Sequence, residues 1–144
     1  MQQRISLITL AVEDLDRAAA FYEALGWQKE DAEAELRIYN LLGQSIGLYP
    51  RENLARDMGM EPSEIGGFSG VTFAHNVPDR ASVDDIAARA KDAGARMIKP
   101  PHEVFWGGYI AYFADLDGHV WELAHNPFSK LGPNGEFRWG GYPD

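Results

Sequence analysis

The chain opens on Ile5 to Val12, a β-rich run that is apolar on both faces, the pattern of a strand buried on two sides. Glu13 and Asp14 end it. Asp14 can cap a helix whose apolar residues Leu15, Ala18, Ala19, Phe21, Tyr22 and Leu25 recur at helical spacing, and Gly26 is placed to stop it. Three short β-like pieces follow, Trp27 to Lys29, Leu36 to Leu42 and Gln44 to Tyr49, the last two joined by a tight turn at Leu42-Gly43-Gln44. Pro50 closes the set. Arg51 to Gly67, rich in charge and glycine and containing Pro62, reads as a linker with room for a helical turn.

The same order then repeats. Phe68 to Val77 reads as a strand, and Ser82 to Ala93 has helical spacing at Val83, Ile86, Ala87 and Ala90, with Ser82 as N-cap and Gly94 as the stop. Arg96 to Lys99, Val104 to Ala114 and His119 to Ala124 supply three more strands. Between the last two, Asp117-Gly118 is the dipeptide favoured in two-residue hairpins, where both central positions take positive φ. The repeat is weak in letters and clear in order. It predicts an α+β fold of two βαβββ modules, about 4–50 and 68–127, with a linker at about 51–67 and an aromatic tail at about 128–144. Each module alone would leave one face of its sheet bare. The two are therefore expected to pack into one curved, cup-like mixed sheet with the helices outside, the hollow being the ligand site.

Composition narrows the function. At 144 residues the chain is the size of one domain, and folding should bury roughly 68–70% of its unfolded surface, enough for a core without staples. With 13 Lys+Arg against 22 Asp+Glu the formal net charge is −9, which argues against a nucleic-acid partner because phosphate backbones select basic faces. Much of that charge falls on the first helix, the Glu30 to Glu35 stretch and the linker, where it reads as solvated surface. Cysteine is absent, so disulfides, thiolate nucleophiles and Cys-based zinc sites are excluded. The first apolar run is too short to span a membrane and lacks a signal-peptide cleavage site, so the expectation is a soluble, cytoplasmic protein with no membrane partner.

Two features then carry a resemblance: the paired strand-helix-three-strand order, and the segment WGGYIAYFADLDGHVWELAHNP from Trp106 to Pro127. Together they resemble the vicinal oxygen chelate superfamily of glyoxalase I, the bleomycin-resistance proteins and the extradiol dioxygenases. The resemblance implies the cup, a homodimer and, in metal-dependent members, one ligand on the first and one on the last strand of each module. Those four positions fall on Leu7, Gly47, Thr72 and Glu122. Only Glu122 is a metal ligand by type, so no metal site and no cofactor are expected.

Strand parity sorts the remaining candidates. Glu122 shares a face with Val120 and Ala124, opposite Trp121 and Leu123, so its carboxylate should look into the cup. It must be paired or hydrogen-bonded there, with a neighbouring Tyr or Arg as a structural partner, or serve a ligand or proton transfer. His75 falls on the helix-packing face and reads as a core histidine. His119 and His125 lie opposite Glu122, so His119-x-x-Glu122-x-x-His125 is no metal triad on a strand. His102, in a loop after Pro100-Pro101, can reach a ligand without violating parity. Trp106, ahead of Gly107-Gly108, and Tyr109 are expected at the pocket wall or rim, with Tyr49 from the first module and Thr72 as further substrate-binding residues. The tail, with Leu131, Phe137, Trp139 and Tyr142, is too aromatic to be left in water and should pack across the body, a pocket or a second subunit.

The reading that follows is a member of the superfamily that binds a small molecule in the cup, with Glu122 as candidate acid or base, or simply as anchor. A metal-dependent lyase or dioxygenase, with a rearranged site at Glu122, His75 or His102, is the first alternative. A drug-sequestering protein whose acidic groove holds a cation without catalysis is the second.

Overall fold

The computed structural model describes residues 1–30 and 35–143. It divides into two compact units, Met1–Ser69 and Gly70–Asp144, close to the boundary the linker suggests. Residues 31–34 of the acidic Glu30 to Glu35 stretch lie outside the described residues.

In the first unit β1 (Leu7–Val12) leads into α1 (Leu15–Ala24), with Asp14 as the N-cap. Its carboxylate accepts from the Arg17 backbone N–H at 2.9 Å, and the helix ends before Gly26 at φ 103°. β2 (Arg37–Asn40) and β3 (Ser45–Pro50) follow, joined through a turn in which Leu41 N–H donates to Gln44 at 2.9 Å. β1 pairs parallel with β3 and β2 antiparallel with β3, giving the order β1-β3-β2. The core is Leu10, Val12, Ile46, Leu48 and Tyr39 of the sheet against Ala18, Phe21 and Tyr22 of α1.

Three expectations shift here. β1 starts at Leu7 rather than Ile5, and only its second half is buried, because it is an edge strand of this sheet. Trp27 to Lys29 is not a strand: the Trp27 ring stacks on Tyr22 with centroids 4.8 Å apart, which spends those residues on the core. The linker carries a full helix, α2 (Arg51–Met58), closed by Gly59 at φ 69° and followed by a 3-10 turn at Pro62–Glu64.

The second unit has the whole predicted order: β4 (Thr72–Asn76), α3 (Arg80–Asp92), β5 (Arg96–Glu103), β6 (Tyr109–Ala114) and β7 (Val120–His125). Its sheet runs β4-β7-β6-β5, with the first strand again parallel to the last. The repeat legible in the sequence is thus a repeat of pairing. Phe68 to Val71 stays out of β4, since Gly66, Gly67 and Gly70 all take positive φ and bend the entry.

The α3 N-cap is Asp79, not Ser82: the Asp79 carboxylate accepts from both Ser82 N–H and Ser82 Oγ at 2.7 Å. β5 runs four residues further than Lys99, through Pro100, Pro101 and His102, with register breaks between Met97 and Lys99 and between Lys99 and His102. As an edge strand it tolerates prolines and bulges. The β6–β7 connection has three residues, Leu116 to Gly118, rather than two. Asp115 N–H donates to His119 O at 2.9 Å, Gly118 takes φ 88°, and no described non-glycine residue has positive φ.

The tail does not cover itself. It folds back through Tyr142 N–H to Lys130 O and Gly132 N–H to Glu136 O, both 2.9 Å, yet leaves Trp139 91% and Phe128 76% exposed. No helix among the described residues is long and apolar enough to cross a membrane.

Candidate functional site

The sheet of the second unit has two different faces. One packs on α3: Tyr109 donates its hydroxyl to Asp84 at 2.9 Å, and the Arg80 guanidinium sits 5.3 Å from the Tyr109 ring centroid while pairing with Glu103 at 2.9 Å. Phe113, Trp121 and Leu123 share that face and are buried with Val83, Ala87 and Ala90 of the helix.

The opposite face carries Glu122, half-buried on β7. Its register partners are Ala74 on β4 and Tyr112 on β6, and Tyr112 is in turn opposite Lys99 on β5. The Tyr112 and Glu122 side chains stand side by side across the strand pair. Burial first, and then the neighbouring Glu122 carboxylate, push the Tyr112 phenol above the ordinary tyrosine value. Ala74 and Ala124 flank Glu122 with no polar group, so Tyr112 is the partner that sheet pairing supplies. The tyrosine beside Glu122 is thus Tyr112, a residue that the sequence pattern does not single out for the site.

The row beyond holds Asn76, Ala124, Ile110 and His102 in register, and the row before holds Thr72 opposite Val120. Thr72, Tyr112, Glu122 and His102 thus share one face. His102 sits on a strand and not in a loop. Its Nδ1 lies 2.8 Å from Pro100 O, and its buried Nε2 has no hydrogen-bond partner.

The other candidates have partners of their own. Tyr109 is on the α3 face, where its hydrogen bond to Asp84, then burial, raises its phenol. Trp106 lies in the β5–β6 turn, 40% exposed, with its ring laid over Gly108, where a Cβ would collide with it. The close approach that Gly108 permits is taken by Trp106 itself. Tyr49, in the first unit, donates to Asp57 of α2 at 2.9 Å. His75 is exposed on β4 and not in the core; β4 is an edge strand, and the position opposite it is Leu123. His125 Nδ1 is 3.4 Å from Val77 O on the α3 face, and His119 N–H donates to Asp115 in the turn.

Comparison with known proteins decides the family. The family model for the Glyoxalase/Bleomycin resistance protein/Dioxygenase superfamily matches residues 4–123. The chain belongs to this superfamily. Within it, the chain is 32% identical to a glyoxalase-related enzyme from Fulvimarina pelagi, with a TM-score of 0.86 over 95% of this chain and 98% of that one. An uncharacterized protein of Pseudomonas aeruginosa, PA2024, is 29% identical over 94% of this chain and 96% of its own length. A lactoylglutathione lyase from Agrobacterium tumefaciens shares the fold, at 22% identity and a TM-score of 0.65 over 87% of this chain and 95% of that one.

The superfamily's divalent ion does not fit the residues this chain offers. At Gly47, the first unit's counterpart of Glu122, an added Cβ would lie 3.2 Å from Ile38 Cδ1, 3.4 Å from Leu36 Cδ1 and 3.5 Å from Leu7 Cδ1. That is a hydrocarbon wall, whereas a cation of this class needs nitrogen or oxygen donors. Thr72 adds only a neutral hydroxyl, and among the described residues no three His, Asp or Glu side chains gather to hold a metal.

Proposed function

We propose that the second unit binds a small organic molecule on the Glu122 face, with the Glu122–Tyr112 pair as its polar anchor and without the superfamily's metal. The observation that carries this is the half-buried carboxylate in register with one phenol and flanked by Ala74 and Ala124. Such a carboxylate keeps acceptor capacity for a donor on a ligand. It can anchor a donor on the ligand or take a proton from it, and the similarity to a glyoxalase-related enzyme supports chemistry on a small substrate.

The test is a thermal-shift screen of a metabolite library against wild type and Glu122→Gln, in buffer containing EDTA. The expected result is a set of compounds that stabilise wild type with chelator present and lose that effect in Glu122→Gln. Stabilisation that requires an added divalent ion would refute the reading.

The same proposal includes a homodimer. β1 and β4 are edge strands of their sheets, and Ile5, Leu7 and Val71, at the start of or just before them, are 64%, 47% and 51% exposed. Edge strands beside exposed aliphatic side chains support association with a second copy. Sedimentation equilibrium is expected to give twice the chain mass, and a monomer at micromolar concentration would remove this part.

A further inference from the structure

The buried nitrogen of His102 is a polar group that the Glu122–Tyr112 pair does not use. Pro100 O can only accept, so the 2.8 Å contact requires His102 Nδ1 to carry the hydrogen. In the neutral ring the proton is then absent from Nε2, which becomes an acceptor. That atom is buried and unpartnered, and buried polar atoms in native proteins normally have partners. The Nδ1 bond is local, within the Pro100-Pro101-His102 stretch of the edge strand, so the tautomer is set before any ligand arrives.

We infer that His102 Nε2 is a ligand-binding acceptor, one that selects small molecules presenting an O–H or N–H donor to the β5 end of the Glu122 face. The inference rests on the small-molecule reading above and adds a specificity element to it. His102 is opposite Ile110, and Tyr112 and Glu122 lie one row along on the next two strands. Strand spacing and rise then place the His102 and Glu122 backbones roughly 12 Å apart, with Tyr112 diagonal to His102 between them. A metabolite-sized molecule spans that gap. Both ends accept: Glu122 as a carboxylate and His102 through its lone pair. An ether, ester or tertiary amide at the His102 end would leave Nε2 unpaired, and a hydroxyl or amine would not. Discrimination of this kind is strong because the penalty falls on a buried atom.

The experiment uses the full chain at pH 8, above the ordinary histidine range. Long-range 1H–15N correlation reads the His102 tautomer. Backbone amide shifts of Ala74, Tyr112 and Ala124 then report titrations with benzyl alcohol and with benzyl methyl ether, a pair differing in the donor. The expected result is an Nδ1–H tautomer, with benzyl alcohol binding about tenfold more tightly than the ether, one buried hydrogen bond's worth. His102→Phe should lose that tenfold preference, and His102→Gln, whose side-chain oxygen can stand near Nε2, should keep most of it. An Nε2–H tautomer, or equal affinity for the two probes in wild type, overturns the inference and leaves the face-binding reading standing. Absence of any shift at Ala74, Tyr112 and Ala124 with either probe overturns both.

Discussion

Replacing Asp115 should damage the Glu122 face from a distance, because this carboxylate builds the turn that sets β6 against β7. Asp115 is 6% exposed, and its Oδ1 accepts from Asp117 N–H and His119 N–H, both at 2.9 Å. A hydrogen bond to a charged group is worth about 1.5–3 kcal/mol, and a half-exposed turn lets water recover part of that, so Asp115→Ala should cost about 2–4 kcal/mol. For a chain of this size that corresponds to a fall in Tm of about 6–15 °C. Asp115→Asn keeps one acceptor oxygen and should lose about half as much. Calorimetric unfolding measures the loss, and 1H–15N spectra of Tyr112 and Glu122 report whether the register holds. An Asp115→Ala protein melting within 2 °C of wild type would refute the reasoning, since the turn would then be specified without its carboxylate.

Leu123, 1% exposed between the sheet and α3, should cost about 3 kcal/mol when cut to alanine, measured by urea unfolding. Asp79→Ala should lower Tm more than Ser82→Ala, because Asp79 is the cap; the reverse order would return that role to Ser82. Tyr112 is held above its ordinary value, so the folded state binds its proton more tightly than the unfolded chain does. That contribution to stability is complete below the unfolded tyrosine range near pH 10 and is lost as pH rises through the folded value. Stability of wild type should therefore fall more steeply above about pH 10 than that of Tyr112→Phe, with the phenol titration followed by ultraviolet absorbance.

The fold was legible because its signals are local. Asp14, Gly26 and Gly94 mark helix ends by backbone geometry, and alternation around Trp121 and Leu123 separates the two faces of β7 correctly. The site was half legible for a reason that comes down to one residue of register. Asp117-Gly118 as a two-residue turn would pair Glu122 with Phe113 and hide its partner, whereas the three-residue turn built by Asp115 pairs it with Tyr112. The choice depends on a buried side chain accepting two backbone hydrogens, which no dipeptide preference encodes. His102 reads as a loop residue in the sequence because Pro100-Pro101 looks like a strand terminator, and only an edge position with bulges lets the strand continue through it. Trp27 reads as a strand residue because its packing against Tyr22 is a tertiary contact that local pattern does not carry.

The central claim is a small-molecule site in a superfamily fold that has given up its metal, and metal stoichiometry tests it most directly. Protein purified without chelator, wild type and Glu122→Ala side by side, should carry less than about one-tenth of an equivalent of Ni, Zn, Fe or Mn per chain by plasma mass spectrometry, at the level of nonspecific binding. One equivalent in wild type that disappears in Glu122→Ala would contradict the account and make Glu122 a metal ligand.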